Sequence, residues 1–358
     1  MGIWTLLMIP LITTTVRTGH NAGDTFIGVG LQHLVENALG SQAWLLIDRF
    51  DRDGFRRYEQ DLRDAPFAVY GGMPQYNNYD RWKHWYDDGM WRRHIAPLGL
   101  KVMTMAGGAG FSHPHIGVDE YVADCLSSAR TVRIIRRRVD SSLCFTVRDP
   151  YAHALLNALG IENQYLPCSA TWATRQWGIA PAEERPLSLL VPPHPRYAPG
   201  YDAPRKPSRA ARRDAFVRQW VGLYESLKAV DEGAKVLCHG HEEFQALRGH
   251  IPTADLLHHG DSYTLLRQYA HAHTVVSARL HGSLPAYGLP GTRVLNLSVD
   301  VRGSAVELFQ GIGDVALSEL TPTRLPDLVA SLEPSTEADL APWQERYERV
   351  IRASVPPA

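Results

Sequence analysis

The chain has 358 residues, which at roughly 150 residues per domain suggests about two domains and a sizeable buried core. Lys and Arg total 37 against 38 Asp and Glu, so the net charge of −1 provides no global field toward DNA or an acidic membrane. That balance argues against a dedicated nucleic-acid binder. Only five of the cations are Lys and 32 are Arg, which fits codon bias or planar anion recognition.

Cys125, Cys144, Cys168 and Cys238 lack a C-x-x-C spacing, and a chain of this length needs no disulfide staples, so a cytoplasmic, reducing setting is expected. Residues 1–12 are apolar but have no basic leader and no small-residue cleavage site, and they read as a buried strand. No stretch reaches the roughly 20 apolar residues of a membrane span, so contact with lipid-linked material is expected to be peripheral at most.

Strand-like runs alternate with helical patterns along the whole chain, which predicts an α/β fold with parallel sheets. Residues 4–15 read as a strand, 18–24 as a polar turn, 25–39 as a helix closed by Gly40, and 44–48 as the next strand. Strands at 65–70 and 100–105 each end in a glycine pair, Gly71-Gly72 and Gly107-Gly108, where backbone can approach a neighbour closely. After a strand at 143–147, Asp149 is placed to cap a helix at 151–159 with Pro150 in its first position.

Eight prolines fall between residues 181 and 213, which suits a crossing between domains with its boundary near Glu184. Beyond it, Phe216, Trp220, Leu223, Tyr224 and Leu227 form one helical face over 211–227, and a strand follows at 235–238. Asp261 caps a helix at 262–271, and strands at 274–277 and 292–297 flank a helix at 279–287. The halves are 1–184 and 185–335, and a last helix within 336–358 is placed to return across the junction. Two Rossmann-like halves joined in this way resemble the GT-B glycosyltransferase architecture, with a cleft between them.

The most specific chemical feature is Ser277-Ala278-Arg279-Leu280-His281-Gly282-Ser283, where a buried strand passes into a helix. Free N–H groups at that helix start favour a small anion, Arg279 adds a bidentate fork, and His281 titrates near neutrality. An exposed Arg279 and a structural His281 fit the same pattern. A second feature is Gly19-His20-Asn21-Ala22-Gly23-Asp24, in which Asp24 either caps the first helix or meets a sugar hydroxyl.

His239-Gly240-His241, His113-Pro114-His115, His258-His259 and His271-Ala272-His273 lack the full ligand set of a zinc site. Strand alternation would put His239 and His241 on one face, and Arg136-Arg137-Arg138 reads as a solvated charge run. There is no G-x-S-x-G elbow, Walker loop or H-E-x-x-H motif, which removes the main support for serine hydrolases, P-loop enzymes and thermolysin-like proteases.

Several pieces occur in the order found in polysaccharide pyruvyltransferases, and the chain resembles that family. The match rests on Asn21-Ala22-Gly23-Asp24, Gly71-Gly72, Val147-Arg148-Asp149, Leu159-Gly160-Ile161, Ser277 to His281 and Gly288-Leu289-Pro290. The resemblance implies transfer of a pyruvyl group from phosphoenolpyruvate to a sugar as a ketal, with no metal or organic cofactor. It makes Arg279 the donor-site arginine and His281 the essential histidine and acid, with Asp24 as a base for the acceptor. Ser277, Gly282 and Ser283 complete the donor set, and Arg196 and Arg302 are candidates for a second cation. Asn21, Gly23, Asp24, Gly71 and Gly72 fall on the acceptor side, the first half, for a sugar that is free, nucleotide-linked or lipid-linked.

The chain departs from the family at Leu166-Pro167-Cys168-Ser169, where many relatives carry Asp after the proline. A second departure is Leu190 to Arg196, so the role of a family arginine passes to Arg196. A nucleotide-sugar glycosyltransferase, sialyltransferase-like in its His194-Pro195 pair, and a non-catalytic sugar-binding relative are the competing expectations.

Overall fold

The computed structural model describes residues 8–13, 22–72, 74–81, 88–110, 116–197 and 208–355. Asn21, the Gly19-His20 pair and the His113 to His115 cluster lie outside the described residues.

Among the described residues all strand pairs of both sheets are parallel, which requires helical crossovers and buries both faces of each sheet. The first sheet runs in space Ala43–Asp48, Met8–Thr13, Ala68–Gly71, Val102–Ala109, Ser142–Val147 and Gln164–Tyr165, with Pro74–Tyr76 pairing beside Val102–Ala109. The second runs Leu256–His258, Ala234–Cys238, Leu187–Val191, Ala272–Ser277, Arg293–Ser298 and Ile312–Ala316. Two parallel-sheet α/β domains facing a cleft are the GT-B arrangement.

Local signals place the helices. Asp149 accepts from the Ala152 N–H at 2.8 Å and caps Pro150–Ala158, and Asp261 does the same for Ser262–Ala270 through the Thr264 N–H at 2.7 Å. Phe216, Trp220, Leu223, Tyr224 and Leu227 are the buried face of Arg209–Lys228.

Four local expectations are corrected. Val102–Ala109 does not stop at its glycine pair but runs through it. A Cβ at Gly107 would meet the Tyr76 ring at 2.8 Å, and one at Gly108 would meet Arg148 Nε at 2.5 Å, so the pair makes room for neighbouring side chains. The first long helix, Ala22–Leu39, starts early enough that Asp24 lies inside its first turn and is not its cap. The strand Ala234–Cys238 ends before His239, and Gly240 caps a helix that His241 opens, so the two histidines do not share a strand face. Arg138 is not solvated: it is 1% exposed, donates to Tyr79 Oη at 3.2 Å and lies over the Trp91 ring. Its stem packs while its charge is held by aromatic faces.

One apolar cluster passes through both halves and includes Phe26, Trp172, Leu284, Tyr287 and Tyr347. A continuous core of this kind fixes the halves against each other more firmly than a polar interface does. The segment Ser169–Trp172 is its wedge, since a Cβ at Gly30 would meet Ser169 O at 1.8 Å and one at Gly288 would meet Thr171 O at 1.9 Å. The final helix, Glu337–Ser354, packs on the first half through Tyr347 Oη to Pro167 O at 2.6 Å and Arg352 Nε to Ala38 O at 2.9 Å. No helix among the described residues is long and apolar enough to cross a membrane.

Candidate active site

The carboxyl ends of both sheets open on one cavity of about 550 Å³. The first half contributes Asp24, Arg49, Gly72 and Arg148, each at or just beyond a strand end or helix start, and the second contributes Arg196, Tyr197, His239, Glu243, Arg279, His281 and Arg302. Strand carboxyl ends and helix amino ends are where open α/β sheets bind ligands, because backbone N–H groups there lack partners.

Arg279 is the residue before Leu280–Tyr287, in extended conformation, so its side chain turns from the sheet into the cleft. Its Nε donates to Pro192 O at 3.0 Å, and its Nη2 is bonded and ion-paired to Glu243, which is fully buried. Glu243 fits because Gly240 has no side chain: a Cβ there would lie 2.5 Å from Glu243 Oε2. Burial lowers the Arg279 pKa to about 10, and the guanidinium stays charged near neutrality.

His281 follows in the first turn of the same helix, and Arg148 Nη1 faces its Nε2 at 3.4 Å. An arginine only donates, so this contact makes Nε2 the acceptor and leaves the ring proton on Nδ1. Burial, followed by the charges of Arg148, Arg302, His239 and Arg279, holds the His281 pKa well below its ordinary value. The imidazole is therefore neutral in the unliganded cleft.

Arg148 is 1% exposed and rises from the end of Ser142–Val147. Its Nη1 also reaches Gly72 O at 3.4 Å and Cys168 Sγ at 3.5 Å, its Nε has no hydrogen-bond partner, and no carboxylate pairs with it among the described residues. Leaving a buried charge unpaired is costly, and an anion in the cleft would offset that cost. Arg302 contrasts with it, because its Nε donates to both Asp300 oxygens, at 2.8 and 3.0 Å, and its Nη2 to Tyr197 Oη at 3.2 Å. Arg196 donates to the same Tyr197 hydroxyl at 2.9 Å.

Of the residues singled out in the sequence, Gly23, Asp24, Gly72, Arg196, Arg279, His281 and Arg302 line the cavity. Gly23 acts by absence, since a Cβ there would lie 2.6 Å from His281 Nδ1. Ser277, Gly282, Ser283 and Gly71 stand behind the wall. Ser277 Oγ bonds Arg279 N at 3.1 Å and fixes the turn, and Ser283 Oγ bonds Asn296 at 2.8 Å. A Cβ at Gly282 would strike Ser277 Oγ at 2.4 Å, and one at Gly71 would strike Met105 O at 2.4 Å. These four therefore pack and position the wall and lie outside the cavity lining.

Sequence reasoning missed Arg148, Arg49 and Glu243 as site residues. Arg148 had a signal, its place in Val147-Arg148-Asp149 after a strand. Glu243 had none, because only the fold brings it to Arg279. Among the described residues there is no His, Cys, Asp or Glu cluster that could hold a metal.

Fold and cleft together define a GT-B-like protein whose site is built around arginines and the histidines His239 and His281. The family model for polysaccharide pyruvyl transferase matches residues 21–290, and the chain belongs to that family. Among curated proteins no sequence matches it significantly. Among solved structures, it is similar to one from Listeria monocytogenes described as a UDP-N-acetylglucosamine 2-epimerase, at 10% identity and TM-score 0.50, covering 98% of this chain and 92% of that one. It is also similar to E. coli ADP-heptose lipopolysaccharide heptosyltransferase II, at 14% identity and TM-score 0.42, covering 95% and 99%. At such identities the likeness concerns the fold alone.

Proposed function

We propose that the protein transfers a pyruvyl group from phosphoenolpyruvate to two hydroxyls of one sugar, forming a cyclic ketal and releasing phosphate. The observation that carries this reading is Arg148, a buried arginine with no ion-paired carboxylate among the described residues, facing neutral His281 in the cleft that Arg279 and Arg302 also line. A compact anion with both a carboxylate and a phosphate suits that spread of guanidinium groups.

The donor brings up to three negative charges, which reverse the field that keeps His281 neutral and let it take up a proton. His281 then protonates the methylene carbon of the donor, and one sugar hydroxyl attacks the resulting cationic C2 while Asp24 accepts its proton. Breakage of the C2–O bond releases phosphate, which Arg148 and Arg279 stabilise as charge develops on it. The second hydroxyl closes the ring. In the balance, one hydroxyl proton replaces the proton given to the methyl group and the other leaves with phosphate, so no oxidant, reductant or metal is consumed.

Thermal-shift titration of the purified protein tests the donor. Phosphoenolpyruvate near a hundredfold above its Kd is expected to stabilise by about 2.7 kcal/mol, whereas CMP-sialic acid, which carries no diphosphate, leaves the melting temperature unchanged. Arg148→Gln is expected to remove the shift. Stabilisation by CMP-sialic acid and not by phosphoenolpyruvate would favour glycosyl transfer instead.

A further inference from the structure

A second concavity, a groove of about 950 Å³, lies beside the cleft and shares Arg196 and Glu242 with it. Besides Arg196, it is lined by Arg209, Arg212, Arg213 and Arg218, all from the helix Arg209–Lys228. Among the described residues its lining carboxylates are Asp214 and Glu242, and Glu242 lies 3.2 Å from His194 Nε2. The groove is thus strongly cationic on a chain whose net charge is −1.

Among the described residues, the guanidinium groups of Arg209, Arg212 and Arg218 have neither an ion pair nor a hydrogen bond, and Arg213 donates only to the Gln245 carbonyl, at 3.2 Å. Three of these arginines fall at positions i, i+3 and i+4 of one helix, where like charges repel, and they sit near its amino end, where the helix dipole disfavours cations. Local stability would select against this arrangement. A ligand rich in phosphate would relieve both repulsions.

We propose that this groove binds the phosphate-bearing carrier of the sugar acceptor, a diphosphate ester whose sugar reaches the cleft past Arg196 and Glu242. The assignment rests on the acceptor-sugar reading above and specifies it: the acceptor is an activated, diphosphate-linked sugar and not a finished neutral glycan. Arginine forks match phosphate oxygens in pairs, and several phosphate oxygens would be needed to satisfy this many guanidinium groups.

The test is calorimetric titration of the full chain with inorganic pyrophosphate and with UDP, for the wild type, Arg148→Gln, and the triple variant Arg209→Gln, Arg212→Gln, Arg218→Gln. Arg209 and Arg218 are exposed and Arg212 is half-buried, so a Gln at each is expected to leave the fold intact, and retention of the phosphoenolpyruvate thermal shift in the triple variant checks the cleft independently. Support is a loss of pyrophosphate affinity of roughly tenfold or more in the triple variant with little change in Arg148→Gln, as expected when charge-assisted contacts are removed. A triple variant that binds as the wild type does, loss confined to Arg148→Gln, or no binding by the wild type would overturn the proposal. Flotation with phosphatidylcholine vesicles carrying undecaprenyl diphosphate separates the sources: wild-type retention that is lost in the triple variant assigns a lipid carrier, and tighter binding of UDP than of pyrophosphate assigns a nucleotide. Failure of the phosphoenolpyruvate shift alone would sink the donor reading and leave the groove standing.

Discussion

Arg279 reaches the cleft already tied to Pro192 O and to buried Glu243, while among the described residues Arg148 makes no ion pair with a carboxylate. The first pairing orients a guanidinium and removes part of its charge from the field; the second leaves a charge for the ligand to meet. Replacing Glu243 by Gln separates these effects. Loss of a fully enclosed ion-pair partner costs about 3–5 kcal/mol, and because Arg279 is partly exposed to the cleft roughly 2 kcal/mol is expected here. The variant should melt lower without ligand yet show a larger phosphoenolpyruvate-induced shift, since Arg279 is no longer neutralised. A smaller shift would mean that Glu243 matters for orienting Arg279 more than for balancing its charge. The Arg279 and His281 positions were legible in the sequence because strand, turn and helix follow within a few residues of each other. Glu243 was not, because 36 residues separate it from its partner.

At the scale of elements, the helix Ala22–Leu39 carries three buried glycines, of which Gly28 and Gly30 have opposite constraints. Gly30 packs against the Ser169 carbonyl, where a Cβ would come within 1.8 Å, whereas at Gly28 the nearest atom is a Thr13 methyl at 3.3 Å. Gly30→Ala is therefore expected to destabilise by about 3 kcal/mol or more, because backbone on both sides must separate. Gly28→Ala should be close to neutral, as the helix-propensity gain of about 1 kcal/mol offsets the tight contact. Thermal unfolding of the two single variants measures this, and equal melting temperatures would refute the wedge role of Ser169–Trp172. Sequence alone marks both residues as glycine in a helix. Only packing distinguishes a glycine that admits a carbonyl from one beside a movable methyl.

For the whole molecule, burial of histidines in and around the cleft sets the response to pH. His239 and His281 are held well below the ordinary histidine pKa, chiefly by desolvation, and His33, His194 and His258 are shifted in the same direction. The unfolded chain takes up these protons near pH 6.5 while the folded chain does not, so stability falls as pH drops below about 6.5. Asp149 acts in the opposite sense: burial raises its pKa to about 6, and its protonation in the folded state favours folding between about pH 6 and 4. Five histidines outweigh one carboxyl, and the melting temperature should decline from about pH 6.5 toward 5. His281→Asn should make that decline shallower; a slope equal to the wild type would show that His281 is not held neutral.

The sequence by itself determined the α/β class, the two-sheet organisation, the approximate starts of the helices at 22, 150, 209, 262, 280 and 337, and the Arg279 to His281 turn, because each is written in periodicity, caps and glycine placement over a few residues. Tertiary structure alone decided that the carboxyl ends of both sheets share one cavity, that Arg148 meets His281 across 133 residues of chain, and that Ser277 and Ser283 brace the wall and do not line it. The physical reason is the range over which each cause acts. Backbone propensity and capping are local, whereas the desolvation and charge proximity that set a side chain's chemistry depend on neighbours that only the fold supplies.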